Sequence, residues 1–157
     1  DMKPENLLVA RDGYLKLCDF GFSKSVPFEA DGELSYKTYT MLGSPDYLPP
    51  EVLQRKGHDD SADWWSLGAL VFEMLHGATP FAEENQLHTF ERATKGDVHW
   101  SDEFKAEHAD AADFISRLLT VEPLKRLGNA LHGGAEQVRE HAWFAGFDWA
   151  ALRAGTM

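Results

Sequence analysis

The chain has 157 residues, a net charge of −11, 43% hydrophobic and 26% charged residues, enough for one domain with its own core. The acidic balance argues against nucleic acid or an anionic membrane surface as partner and suits either a basic peptide or simply a solvated acidic surface. No apolar run reaches the ~18 residues of a membrane span, the single Cys18 excludes an internal disulfide, and the histidines show no metal-ligand spacing.

Leu7-Leu8-Val9 and Leu15-Lys16-Leu17 are short apolar runs separated by the turn signal Arg11-Asp12-Gly13, and they predict a hairpin. From Ser23 to about Ser44 the sequence is polar and aperiodic, with Pro27 and Asp31-Gly32, and predicts a long loop. Loops of that length in compact domains tend to carry function. From Ser61 the pattern turns helical. Trp64, Trp65, Leu67, Ala69, Leu70, Val71, Phe72, Met74 and Leu75 are apolar nearly all round, so this helix is expected to be buried on every side. Asp59, Asp60 and Ser61 offer caps at its start and Gly77 a stop at its end. Glu83 to Thr94 is expected to form a second, surface helix. Ala111, Phe114, Ile115, Leu118 and Leu119 mark an amphipathic third, and Ala135 to His141 a short fourth. The expected fold class is α+β, mostly helical, with a small β-hairpin at the front edge of a helical lobe.

Three motifs follow one another along the chain. Asp1-Met2-Lys3-Pro4-Glu5-Asn6 has its Asp and Asn spaced as in H-R-D-x-x-x-x-N, Asp19-Phe20-Gly21 matches D-F-G, and Pro49-Pro50-Glu51 stands where A-P-E has Ala first. In this order and spacing the chain resembles the C-terminal lobe of the eukaryotic protein kinases. The resemblance implies phosphoryl transfer from ATP with Mg2+, a reaction in which positioning and charge stabilisation dominate. It implies Asp1 as the base at the substrate hydroxyl and Lys3 as the cation stabilising the transferred phosphoryl group. Asn6 and Asp19 are then the oxygen ligands of magnesium, which prefers such hard donors.

Further motifs narrow the resemblance to the AGC group of Ser/Thr kinases. Asp63-Trp64-Trp65-Ser66-Leu67-Gly68 resembles D-x-W-x-x-G, whose Asp holds the catalytic-loop backbone. Lys125-Arg126-Leu127-Gly128 resembles K-R-L-G, which implies an ion pair between Arg126 and Glu51. Thr40 to Tyr47 resembles T-x-C-G-T-P-E-Y, with Leu42 for Cys, Ser44 for Thr and Asp46 for Glu. This implies Thr40 as the activating phosphosite, with Lys24 as a partner of its phosphate. Ser44 is then in contact with Asp1 and Lys3. Gly21-Phe22-Ser23-Lys24, the run Gly134 to Phe144 and Asp148-Trp149 are most similar to the cyclic-nucleotide-dependent kinases. Such kinases favour basic residues before the acceptor Ser or Thr. Glu5 and Glu73 match the acidic positions that read them, through carboxylate-to-Arg pairing, and Met41, Pro45 and Leu48 match the small apolar pocket for the next residue.

The resemblance covers residues 1 to about 150. It places the kinase lobe at 1–128, with the last helix and the start of a C-terminal extension at 129–157. An insert is apparent around Pro27 to Tyr36. The chain begins at Asp1 and holds no G-x-G-x-x-G, no V-A-I-K lysine and no adenine hinge. The 157 residues are therefore expected to be a piece of a longer kinase and inactive alone. A non-catalytic peptide-docking module and a truncated product without a stable fold remain open beside that reading. The expected partners are basic peptide substrates and an activating kinase. The expected location is the cytoplasm or nucleus, a reducing setting that a single cysteine fits.

Overall fold

The computed structural model describes residues 1–24 and 37–157. The apparent insert around Pro27 to Tyr36 lies outside the described residues. Strands β1 (Leu7–Val9) and β2 (Leu15–Leu17) form an antiparallel hairpin in the register Leu7↔Leu17, Leu8↔Lys16, Val9↔Leu15. Its turn closes where Gly13, at φ 86°, takes a left-handed conformation that glycine adopts without steric cost. A 3-10 turn at Pro4–Asn6 leads into β1, and beyond β2 the Cys18 N–H donates to the Asn6 carbonyl at 2.8 Å. One backbone hydrogen bond thus brings Asn6, the last residue of the first motif, next to Cys18, the residue before Asp19.

The helices are α1 (Pro50–Leu53), α2 (Ser61–His76), α3 (Gln86–Lys95), α4 (Asp102–Glu107), α5 (Ala109–Leu118), α6 (Gly134–Arg139) and α7 (Trp149–Ala154). The central one is α2, which ends at Gly77 with φ 79°. Trp65, Ala69, Leu70, Val71 and Phe72 of α2 pack with Phe114, Ile115 and Leu118 of α5 to make the core. Each such large apolar side chain withdrawn from water contributes about 1.5–3 kcal/mol. The two helices meet so closely at Gly68 that a Cβ there would lie 2.8 Å from Leu118 Cβ. Beyond that crossing, α2 is not buried all round, contrary to the sequence expectation. Its last turn presents Phe72 and His76 to Trp100 and Phe104, while Met74 and Leu75 are exposed at 56% and 46%.

Capping also differs from the expectation in one respect. Asp59 Oδ1 accepts from Ser61 N at 2.9 Å, whereas Asp60 makes no side-chain cap bond and its Oδ1 is buried without a partner among the described residues. The second helix starts at Gln86 because Asn85 caps it, accepting from Leu87 N at 2.9 Å. The short α4 and α7 have no counterpart in the sequence reading. Each is started by a single cap, Ser101 for Phe104 N at 3.0 Å and Asp148 for Ala151 N at 2.8 Å.

A buried ion pair ties the distant parts together. Arg126 Nη1 and Nη2 donate to Glu51 Oε1 and Oε2 at 2.7 and 3.0 Å, and Nη1 also reaches the Ser61 carbonyl at 2.8 Å. Asn129, fully buried, donates to Ser61 Oγ at 2.9 Å and accepts from Leu131 N at 3.0 Å. Residues after 128 join the same core, through Val138 and through Phe144 set edge-on to Phe114.

Candidate active site

Asp1 is held on both carboxylate oxygens. Oδ2 lies 3.0 Å from Lys3 Nζ, and Oδ1 accepts from Ser44 N at 3.2 Å. Lys3 Nζ in turn donates to Ser44 Oγ at 3.0 Å. Two segments more than forty positions apart in sequence therefore close a ring around one carboxylate. Charge-assisted hydrogen bonds of this kind are about twice as strong as neutral ones. The Asn6 amide nitrogen adds a bond to the Asp1 carbonyl at 2.7 Å and a longer approach to Oδ2 at 3.4 Å. Asn6 is itself buried in the 3-10 turn at 6% exposure. Its side chain is thereby fixed by local geometry, not by a partner elsewhere.

Asp19 follows β2 at φ 58°, in the left-handed region where Asp is tolerated better than most residues. Its Oδ1 accepts from Gly21 N at 3.1 Å, closing a turn across Asp19-Phe20-Gly21. Asp1 and Asp19 both line a cleft of about 270 Å³, together with Lys24, Thr40, Ser44 and Leu48. Among the described residues no group of three or more His, Cys, Asp or Glu has the arrangement to hold a metal ion unaided. The donor types suit magnesium shared with a phosphorylated ligand, but of the two expected donors the structure brings only the Asp19 carboxylate to the cleft: Asn6, its amide nitrogen engaged with Asp1, is buried and does not border it. Magnesium is commonly held by one or two carboxylates with phosphate oxygens and water completing its shell.

At the other side of the cleft, Lys24 Nζ donates to Thr38 Oγ1 at 2.8 Å and also to Thr40 Oγ1. The two hydroxyl oxygens lie 3.3 Å apart. Thr38 and His58 form an isolated antiparallel bridge, exchanging both backbone hydrogen bonds at 2.9 Å. Neither Thr38 nor His58 was singled out by sequence, because a one-residue bridge leaves no periodic trace.

Only some of the remaining candidate residues border this cleft. Tyr47 donates its hydroxyl to Glu73 Oε2 at 2.5 Å. Burial, and then the Glu73 hydrogen bond and charge, push that hydroxyl well above the ordinary tyrosine range, and the charge of the exposed Glu5 acts in the same direction. Glu5 and Glu73 thus bear on one tyrosine that sequence reasoning did not select. Of the three candidate pocket residues, Leu48 is buried and lines the cleft, while Met41 is 41% exposed and neither it nor Pro45 borders that cleft. Asp63, at the start of α2, is exposed and also borders the cleft.

Comparison with known proteins gives one family. The model described as "Protein kinase domain" matches residues 1–144. The cAMP-dependent protein kinase catalytic subunit of the fungus Arthrobotrys oligospora is 45% identical over 153 residues, 97% of this chain and 27% of that protein. The human cAMP-dependent protein kinase catalytic subunit PRKX is 42% identical over 154 residues, 97% of this chain and 39% of that protein. The mouse cGMP-dependent protein kinase 2 is 43% identical over 157 residues, 100% of this chain and 20% of that protein. The chain spans well under half the length of these relatives.

Proposed function

The chain belongs to the protein kinase domain family, and from that premise we propose that it forms the peptide-docking and phosphoryl-transfer half of a Ser/Thr kinase acting on basic peptides. The observation that carries this reading is the Asp1 carboxylate, clamped by Lys3 and by the backbone of Ser44. A base for phosphoryl transfer must be oriented before substrate arrives, and this ring orients it from two independent segments.

In the proposed reaction the γ-phosphoryl group of ATP passes to a Ser or Thr hydroxyl of the substrate, the bond from its phosphorus to the β,γ-bridging oxygen breaks, and ADP leaves. Asp1 accepts the hydroxyl proton, and Lys3, already beside it at 3.0 Å, stabilises charge on the transferred group. Ser44 keeps both in place. Asn6 and Asp19 would hold magnesium, which neutralises charge on the phosphate oxygens when bound. Glu5 and Glu73 would pair with substrate Arg or Lys ahead of the acceptor, Met41, Pro45 and Leu48 would receive the residue after it, and a phosphate on Thr40 would order the loop against Lys24. Asp63 would brace the catalytic-loop backbone. Residues 129–157 would form the last helix and the start of an extension beyond the lobe. The proposed setting is the cytoplasm or nucleus, which a sole free cysteine suits.

The test is phosphate transfer from Mg-ATP to an Arg-rich Ser peptide, comparing the full-length parent with residues 1–157 alone. The reading expects transfer by the parent, none by the shorter chain, and a sharp rise in KM when the basic residues of the peptide become Ala. A parent that binds the peptide yet transfers nothing would make this half a docking module instead.

A further inference from the structure

Three arginines stand within three positions ahead of a Ser or Thr: Arg92 before Thr94, Arg117 before Thr120 and Arg153 before Thr156. To serve as a substrate, such a segment must set its arginine on a carboxylate and its hydroxyl at the base together, so it must be able to leave its own fold. The first two segments are held in place. Arg92 donates to Glu83 Oε1 at 2.9 Å and to the Asp97 carbonyl at 2.8 Å, and Ala93 beside it is buried. Arg117 pairs with Asp113 at 2.8 Å, and freeing the chain from it to Thr120 would draw Leu118 and Leu119 out of the core. By contrast Arg153, Ala154, Gly155 and Thr156 are all exposed. Helix α7 is anchored at its start, where the Trp149 ring lies 4.9 and 4.6 Å from those of Phe144 and Phe147. Past its other end, the Thr156 N–H and Oγ1 donate to the Ala151 carbonyl at 3.0 and 3.3 Å. A helix of less than two turns is marginal by itself, so this end can unwind while Trp149 stays docked.

We propose that Thr156 is a phosphorylation site for a second copy of this kinase, recognised through Arg153. The proposal rests on the basophilic Ser/Thr reading above. Thr156 adjoins Met157, whose N–H donates to the Tyr14 hydroxyl at 2.8 Å. Tyr14 stands in the hairpin turn, at the end away from Asn6 and Cys18. The acceptor is thus held away from its own Asp1, and the enzyme is another molecule. There Thr156 Oγ1 bonds to the γ-phosphorus of ATP, the bond from that phosphorus to the β,γ-bridging oxygen breaks, Asp1 of the second copy takes the hydroxyl proton, and ADP leaves. The phosphate then loosens its own surroundings. It removes the donor that met the Ala151 carbonyl and sets close to two negative charges at the C-terminal end of α7, which is already the negative end of the helix. The last turn of α7 opens and Met157 leaves Tyr14.

The experiment mixes the active full-length parent with an excess of isotope-labelled full-length Asp1→Asn protein as acceptor, in Mg-ATP. A parallel reaction carries an Arg-rich Ser peptide instead of the acceptor. Mass spectrometry is expected to find phosphate at Thr156 of the labelled copy. Arg153→Ala in that copy is expected to lower the initial rate about 10–100-fold, the worth of a hydrogen bond to a charged group. Unwinding of α7 by the substitution would speed transfer, so a fall reports recognition of the arginine. A phosphorylated peptide beside an unmodified Thr156, or equal rates for the Arg153→Ala acceptor, overturns the site and leaves the kinase reading intact. No phosphate on peptide or acceptor overturns both. Hydrogen exchange over residues 149–157 is expected to quicken in the phosphorylated acceptor, and unchanged exchange overturns the release of Met157.

Discussion

Asp19 and Asp60 carry their carboxylates at a cost, for different reasons. Asp19 sits at φ 58°, where a residue with a Cβ is disfavoured by about 1–2 kcal/mol and glycine is not. Its turn bond to Gly21 offsets part of that. Asp19→Gly should therefore be at least as stable as Asp19→Ala, and both should abolish transfer by the parent enzyme, as read by thermal melts beside peptide assays. A stable Asp19→Gly protein with substantial turnover would remove Asp19 from the chemistry. Asp60 is a different case, because its buried Oδ1 has no partner among the described residues. Burial, then the charge of Asp59, holds its carboxyl above the ordinary range. A raised folded-state value means the native state binds this proton more tightly than the unfolded chain does. The stabilising contribution is complete below the ordinary carboxylate range and is lost as pH rises through the folded value. Asp60→Asn should accordingly raise the melting temperature at neutral pH and leave it nearly unchanged in acid. An equal shift at both would contradict the assignment.

At the scale of elements, α2 shows what pattern alone reveals and where it stops. Its start, its glycine stop and its role as the central helix follow from one apolar run, and the hairpin follows from two runs around a turn. The exposed Met74 and Leu75 were not legible, since the run does not say that the packing surface narrows after the α5 crossing. Nor were α4 and α7, although α6, also six residues, was expected, since a helix of less than two turns shows too little of its period to be read consistently. Gly68 links motif to packing. Alanine would gain about 1 kcal/mol in helix propensity, but its Cβ would meet Leu118 and Leu119 at 2.8–3.1 Å, and overpacking a core costs about 1–3 kcal/mol. Gly68→Ala should thus be net destabilising in denaturant melts. A stabilised variant would show that α2 and α5 separate freely.

Across the whole molecule, long-range ties connect the site to the core, and only some were readable. The motifs named both members of the Glu51–Arg126 pair, 75 positions apart. Asn129 was missed, because nothing local to it announces a bond to Ser61, 68 positions away. Arg126 also reaches the Ser61 and Thr120 carbonyls, so one side chain joins α1, α2 and the segment after α5. Removing it leaves Glu51 buried and uncompensated, a loss of about 3–5 kcal/mol, and Arg126→Leu should unfold at markedly lower denaturant. Glu51→Gln with Arg126→Leu should recover part of the loss. The same logic of ties across the sequence underlies the site, where Ser44 and Lys3 hold Asp1.

The most direct measurement is steady-state transfer from Mg-ATP to an Arg-rich Ser peptide by the full-length parent and its Asp1→Asn variant. If Asp1 is the oriented base, kcat falls by about 10²–10⁴-fold while the KM for peptide stays within a few-fold. An Asp1→Asn enzyme with nearly unchanged kcat would contradict the account.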